Sequence, residues 1–148
     1  MLHVYNTLTK IKEVFTPQKP PEVSIYICGP TVYDLLHIGN FRGPIFFNLV
    51  RNWLEENGYK VKFVQNYTDV DDKIIKRAAA ENMSSEALTE KYIGEYQKDY
   101  SNLGLKKHTH NPRVTEHMDD IIKIIQKIIE ANHAYVSPDG EVLYSVRS

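Results

Sequence analysis

The spacing of apolar and polar positions changes several times along the chain, and each change marks an expected element. Residues 23–28 form a short run of mostly apolar, β-branched and aromatic side chains stopped by Gly29-Pro30. That is the pattern of a strand buried on both faces, with Cys28 as its last residue. Ile45, Phe46, Leu49, Val50, Trp53 and Leu54 then recur at helical spacing, with Asn48, Arg51, Asn52, Glu55 and Glu56 on the other side. Pro44 lacks a backbone N–H and suits only a first turn, so the helix is expected to begin within residues 40–43. His37 to Asn40 would then sit at its N-terminus. Asn57-Gly58 supplies a left-handed cap, and residues 60–66 alternate as a second strand. A strand, helix and strand of these lengths imply parallel strands joined by a right-handed crossover.

The flanking segments are simpler. Residues 2–15 carry alternating Leu2, Val4 and later Leu8, Ile11, Val14 and Phe15, suited to an edge strand or turn added to the same sheet. Residues 16–21 are a proline-rich connector, barred from a central strand by their missing donors. After Thr68, the acids Asp69, Asp71 and Asp72 precede an apolar helical run, where carboxylates serve the N-terminal donors and dipole. A Mg²⁺ site is the sharper alternative for the same acids. Ser84-Ser85 opens a helix through Leu88, Tyr92, Tyr96 and Tyr100 that ends near Leu103-Gly104, its tyrosines reading as core. His108 and His110, two apart in a loop, lack the rest of a metal-ligand set. Thr115 is expected to cap a helix striped with Met118, Ile121, Ile122, Ile125, Ile128 and Ile129, with His117 solvated in its first turn. A hairpin is expected over 135–144, turning at Ser137-Pro138-Asp139-Gly140.

Composition narrows the classes. The chain has 148 residues, a formal charge of −1 and a single cysteine, enough for about one domain with an ordinary core. Lys and Arg are scattered, so composition announces no nucleic-acid stripe. There is no apolar run of membrane-spanning length and no signal-peptide pattern, which fits a reducing cytoplasm, and a disulfide within the chain is impossible.

Ligands of parallel α/β sheets bind outside the carboxyl ends of the strands, here at Cys28-Gly29 and at Tyr67-Thr68-Asp69. The exposed N–H groups and dipole of a helix starting beside His37 make the same place an anion site, so phosphate is the natural guest. Neither G-x-G-x-x-G nor G-x-x-x-x-G-K-[ST] is present.

His37-Ile38-Gly39-Asn40 resembles the HIGH tetrapeptide of class I aminoacyl-tRNA synthetases and their nucleotidyltransferase relatives. The blocks LHVYNTLTKIKE (2–13), YICGPTVYD (26–34), NYTDVDDKIIKR (66–77), PRVTEH (112–117) and DGEVLYSVRS (139–148) resemble consecutive blocks of the cysteinyl-tRNA synthetase family. The resemblance covers essentially the whole chain.

It implies an α/β fold: the N-terminal half of a Rossmann-type, parallel-sheet nucleotide-binding domain over 1–112, then the start of an inserted helix and hairpin region over 113–148. It also implies ATP-dependent attachment of cysteine to its tRNA through a cysteinyl-adenylate, with ATP bound as its Mg²⁺ complex. By the same resemblance His37 and Asn40 are catalytic and hold ATP phosphates with Thr31 and Gly39, Gly39 letting adenine approach the backbone. Gly29 and Thr68 face the cysteine, and Cys28 is one ligand of a Zn²⁺ ion that recognises the substrate thiol. A cysteine, a histidine and a glutamate would complete that zinc site, and a KMSKS loop would grip pyrophosphate, all beyond Ser148. The chain alone is therefore expected to be inactive. Asn40 departs from the second histidine of the motif and is expected to keep a neutral side-chain hydrogen bond. Two alternatives share parts of this reading: the cysteine ligase of mycothiol synthesis, and a noncatalytic fragment that binds a nucleotide or partner.

Overall fold

In a computed structural model, which describes residues 2–147, the strand–helix–strand unit forms where the apolar runs place it. Met1 and Ser148, the outer bounds of the two expected regions, lie outside the described residues. Strands β1 (His3–Asn6) and β2 (Ile11–Val14) pair antiparallel with each other and do not extend the parallel sheet, contrary to the expectation of an edge addition. Their turn is closed locally: Lys10 N–H donates to the Asn6 carbonyl, and the Asn6 side chain accepts from Leu8 N–H. The hairpin then touches the rest through Phe15, which meets Tyr59 edge-on at 6.2 Å.

β3 (Glu22–Ile27) and β4 (Lys60–Gln65) run parallel, Glu22 opposite Lys60 and Ile27 opposite Gln65, joined through helix α1 (Ile38–Glu56). Helices α2 (Asp72–Ala80) and α3 (Ser85–Asn102) follow, capped by the side chains of Asp71 and Ser84. Tyr96 of α3 stacks on Phe41 of α1 at 5.3 Å, and its hydroxyl donates to Gln65 Oε1 at 2.6 Å. Gln65 shares its β4 face with buried Phe63, so both helices cover one face of the sheet. Tyr67, Ile74, Ala78, Leu88, Tyr92 and Tyr100 complete the core, which bears out the tyrosines of α3 as packing residues. The other sheet face is open. Val23 and Ile27 are buried while Tyr26 is 64 % exposed, so β3 is covered on one side, not two, and it ends at Ile27, one residue before Cys28.

α1 begins at Ile38, earlier than Pro44 suggested, because His37 and Asn40 close a reciprocal cap there. Pro44 falls past the first turn; it forfeits one helical hydrogen bond but buries its ring. The buried face coincides with the expected one only toward its end, at Leu54 and half-buried Val50. Phe41, Pro44, Asn48 and Leu54 turn inward, and Ile45, Phe46, Leu49 and Trp53 are exposed. Hydrogen bonding decides the rotation: Asn48 Oδ1 accepts from Lys106 N–H at 3.0 Å, and Arg51 Nη1 donates to the Lys107 carbonyl at 2.7 Å. A helix apolar on two sides thus turns toward the one whose polar positions satisfy otherwise unpaired backbone groups.

Residues 109–113 are not a free loop. They run parallel to the other edge of β4, with bridges at Val64–His110 and Tyr67–Arg113. Thr109 N–H donates to the Phe63 carbonyl at 2.8 Å, and Tyr67 N–H to the Pro112 carbonyl at 2.9 Å. Pro112 cannot return a hydrogen bond, which breaks the ladder into isolated bridges. His108 packs half-buried beside this segment, edge-on to Phe63 with centroids 5.0 Å apart and tilted against Tyr100 at 4.7 Å. Burial, reinforced by the nearby Arg51 charge, pushes its imidazole down to about 4.

Since the unfolded chain takes up that proton near 6.5, the neutral His108 contributes stability that is complete above pH 6.5 and is lost as pH falls toward 4. We expect the chain's urea midpoint to fall across that window, and His108→Leu to flatten the fall, in circular-dichroism titrations spanning it. A slope unchanged by the substitution would remove His108 as its cause.

Past Arg113, Thr115–His117 form a single 3₁₀ turn before α4 (Met118–Glu130), and β5 (Ala134–Val136) pairs with β6 (Val142–Tyr144) as the expected hairpin. Thr115 does not cap α4. Its N–H and hydroxyl both bond to the buried carboxylate of Asp69. No residue of α4 is buried, and Met118, Ile122 and Ile125 of its apolar stripe are exposed.

Candidate active site

The two parallel strands stop pairing at Ile27 and Gln65, and the chains beyond them interlock. Thr68 N–H donates to the Pro30 carbonyl at 3.0 Å and Val32 N–H to the Thr68 carbonyl at 3.1 Å, forming a bridge between Thr31 and Thr68. Between ladder and bridge, Asn66 turns its side chain across the gap. Its Oδ1 accepts from Gly29 N–H at 2.8 Å and from the Tyr26 hydroxyl at 2.9 Å; its Nδ2 donates to Thr68 Oγ1 at 3.3 Å. The approach is so close that a Cβ on Gly29 would lie 1.5 Å from the Asn66 carbonyl oxygen. Gly29, Thr31 and Thr68 are thereby brought to one end of the sheet, half-buried.

His37 stands at the N-terminus of α1, on the same carboxyl side of the crossover. Its Nδ1 accepts from Gly39 N–H at 3.0 Å, and Asn40 Oδ1 accepts from His37 N–H at 3.1 Å. This reciprocal cap has two consequences. With Nδ1 occupied as an acceptor, the neutral ring carries its proton on Nε2, and with Oδ1 occupied, Asn40 has its amide donors left. The side-chain hydrogen bond that Asn40 makes here is to the backbone of His37. Gly39 has a structural reason as well, since a Cβ there would sit 2.7 Å from the His37 ring. His37, Gly39 and Asn40 are all exposed.

Cys28 follows β3 directly and is exposed, with only a long contact of 3.8 Å from its sulfur to the Gly29 carbonyl. An exposed thiol at the carboxyl end of a strand fits a metal ligand better than a core cysteine. It has no companions among the described residues, where no group of three or more His, Cys, Asp or Glu side chains could hold a metal. Two of the three acids after Thr68 are otherwise employed: Asp71 caps α2 through Lys73 N–H at 2.8 Å, and Asp69 holds Thr115. His108 Nδ1 pairs with Asn111 at 3.2 Å, away from His110 as a ligand partner.

Comparison with known proteins then decides the family. The model for the class I (C) tRNA synthetase catalytic domain matches residues 14–148. A cysteine–tRNA ligase of Bdellovibrio bacteriovorus is 55 % identical over 148 residues, all of this chain and 30 % of the relative. The ligase of Shewanella woodyi is 50 % identical over all of this chain and 32 % of its own length. That of Ligilactobacillus salivarius is 49 % identical over 99 % of this chain and 31 % of its own. The chain belongs to the cysteinyl-tRNA synthetase family.

It spans about a third of the length of those curated relatives. Two solved structures of Mycobacterium tuberculosis methionyl-tRNA synthetase with methionyl-adenylate share its fold at TM-scores of 0.67 and 0.69, with 18 % identity over 77 and 80 % of this chain and 23 % of theirs. The Rossmann-type, parallel-sheet class expected of a synthetase is therefore the fold observed. Among the described residues no helix is long and apolar enough to cross a membrane.

Three residues around this candidate site escape a motif reading. Asn66 and Asp69 lie inside the quoted NYTDVDDKIIKR block, yet nothing in their spacing says that one bridges Gly29 to Thr68 and the other seizes Thr115. Arg77 reaches Asp34 at 3.5 Å while held by Glu81 and by Tyr92, which ties α2 to the loop before His37. The signal for it is a long-range pair of opposite charges, and sequence alone gives no partner for a charge 43 residues away.

Proposed function

We propose that this chain carries the amino-acid and phosphate end of a cysteine–tRNA ligase, which joins cysteine to its tRNA with ATP as the energy source. What supports the reading is the joining of Gly29 and Thr68 through Asn66 beyond the carboxyl ends of β3 and β4, the end of the sheet at which Cys28 follows β3 and the His37–Asn40 cap opens α1. In the first step a cysteine carboxylate oxygen bonds to the α-phosphorus of ATP, the bridging P–O bond breaks, and pyrophosphate leaves with its electron pair and Mg²⁺. A ribose hydroxyl at the tRNA 3′ end then bonds to the carbonyl carbon of the resulting adenylate and gives up its proton, and AMP leaves with the electron pair of the broken carbonyl–phosphate C–O bond.

His37 Nε2–H and the Asn40 amide offer donors to the phosphate oxygens, and the N-terminal dipole of α1 favours the same negative charge. Groups of this kind act most where charge builds in the transition state. Thr31 and Gly39 belong to the ATP side, Gly29 and Thr68 to the cysteine side. Cys28 fits as one ligand of a zinc ion whose other ligands come from elsewhere in the ligase. When bound, that ion supplies a soft Lewis acid that takes a thiolate far better than an alcohol, and so tells cysteine from serine where size does not. We further propose that residues 1–112 belong to the catalytic half-domain and 113–148 to its insertion, and that the ligase works in the cytoplasm.

The test is cysteine-dependent exchange of pyrophosphate into ATP. The full-length ligase carrying this chain is expected to exchange with cysteine and not with serine. The 148-residue chain alone, from a preparation free of host enzyme, is expected to bind zinc weakly and show no exchange, because one thiolate does not make a tetrahedral site. A full-length protein indifferent to cysteine would overturn the reading, and exchange by the short chain would overturn its incompleteness.

A further inference from the structure

We infer that Asn66 is a positioning residue for substrate cysteine, acting through Thr68, an assignment that rests on the function proposed above. Gly29 N–H is an obligate donor, so the Asn66 atom facing it at 2.8 Å is the oxygen, and the amide's orientation is fixed without choice. The Tyr26 hydroxyl, 2.9 Å from the same oxygen, must therefore donate as well. The remaining atom is the NH₂, and it donates to Thr68 Oγ1 at 3.3 Å. That single bond sets a direction. With a lone pair taken by Asn66, the Thr68 hydroxyl has its own proton to give to an acceptor that binds beside Gly29.

The same side chain also bridges the strand ends where the backbone ladder has stopped, after Ile27 and Gln65. One amide thus holds the Gly29 peptide in place and polarises Thr68, the two positions assigned to cysteine.

Asn66→Asp separates positioning from mere support. Aspartate keeps the shape and both acceptor contacts, to Gly29 and Tyr26, but it cannot donate, so Thr68 must turn its proton inward to the new carboxylate. In pyrophosphate exchange by the full-length ligase, the variant is expected to raise the cysteine KM about tenfold, the worth of one hydrogen bond, with the ATP KM and the melting temperature nearly unchanged. In a Thr68→Val background, which has no hydroxyl to turn, Asn66→Asp is expected to add less than about twofold, the non-additivity of residues acting as one unit.

An unchanged cysteine KM in Asn66→Asp overturns the inference alone. So does an equal rise in both KM values, or a double variant whose loss is the simple product of the Asn66→Asp and Thr68→Val effects. Absence of cysteine-dependent exchange in the unsubstituted ligase overturns the functional reading, and this inference with it.

Discussion

Replacing Cys28 by serine in the full-length ligase is expected to strip zinc and cysteine recognition together while leaving ATP binding intact. The hydroxyl keeps the size of the thiol and its exposed place after β3, but it is a poor zinc ligand. Loss of an outer-shell partner alone costs a metal site about 10- to 100-fold, so loss of a ligand should lower kcat/KM for cysteine by at least about 100-fold. His37→Ala is expected to do the reverse. It removes a donor aimed at phosphate and should lower kcat for adenylate formation by about 10²- to 10³-fold, with zinc content unchanged. Metal analysis beside pyrophosphate exchange on both variants makes the comparison. Full zinc and normal cysteine use in the serine variant, or lost zinc in the alanine variant, would break the proposed division of labour.

The second large effect is on folding. A methyl group on Gly29 would lie 1.5 Å from the Asn66 carbonyl oxygen and 2.7 Å from its carbon, both backbone atoms that no rotamer change can move aside. Gly29→Ala must therefore part the strand ends, losing the Asn66 bridge, and we expect a destabilisation of about 4 kcal/mol or more. Gly43→Ala is the matched control. Gly43 lies inside α1, and a methyl group there would have nothing within 4 Å, so alanine should raise stability by about 0.5–1 kcal/mol. Thermal melts of the two variants should move in opposite directions. Equal melts would mean that the chain has slack at the strand ends which the geometry denies.

Much of this architecture is legible in the sequence because local chemistry and tertiary structure agree. Gly29-Pro30 stops β3, Asn57-Gly58 ends α1 with Gly58 at φ +84°, and Asp71 and Ser84 cap the helices that follow them. Three of the departures share one cause. Asn48 and Arg51 have the spacing of a solvent face, yet both are drawn inward by backbone groups of residues 106 and 107, far off in sequence. Thr115 has the residue type of a helix cap but is claimed by Asp69, 46 residues earlier. Residues 109–113 look like a loop because Pro112 interrupts their pattern, though β4 accepts them as a neighbour. In each case a specific partner, invisible to periodicity, overrides the local preference. The site divides the same way. His37, Gly39 and Asn40 can be read from their motif, whereas the atom each uses, and the hub at Asn66, require the fold.

The bond between Asp69 and Thr115 has one more consequence. Asp69 is the next residue after Thr68, and Cα atoms of neighbours stand about 3.8 Å apart, so a single peptide unit links the hydroxyl assigned to cysteine with the anchor of the 3₁₀ turn that leads into α4. The anchor is 7 % exposed and grips Thr115 through both oxygens, which leaves the joint little play. Residues 118–144 therefore hang from the sheet like an arm from a shoulder whose socket adjoins the hydroxyl proposed to meet cysteine. Any swing of that arm large enough to unseat Thr115 pulls on the backbone next to Thr68, where the ladder beyond β3 and β4 has already thinned to a single bridge.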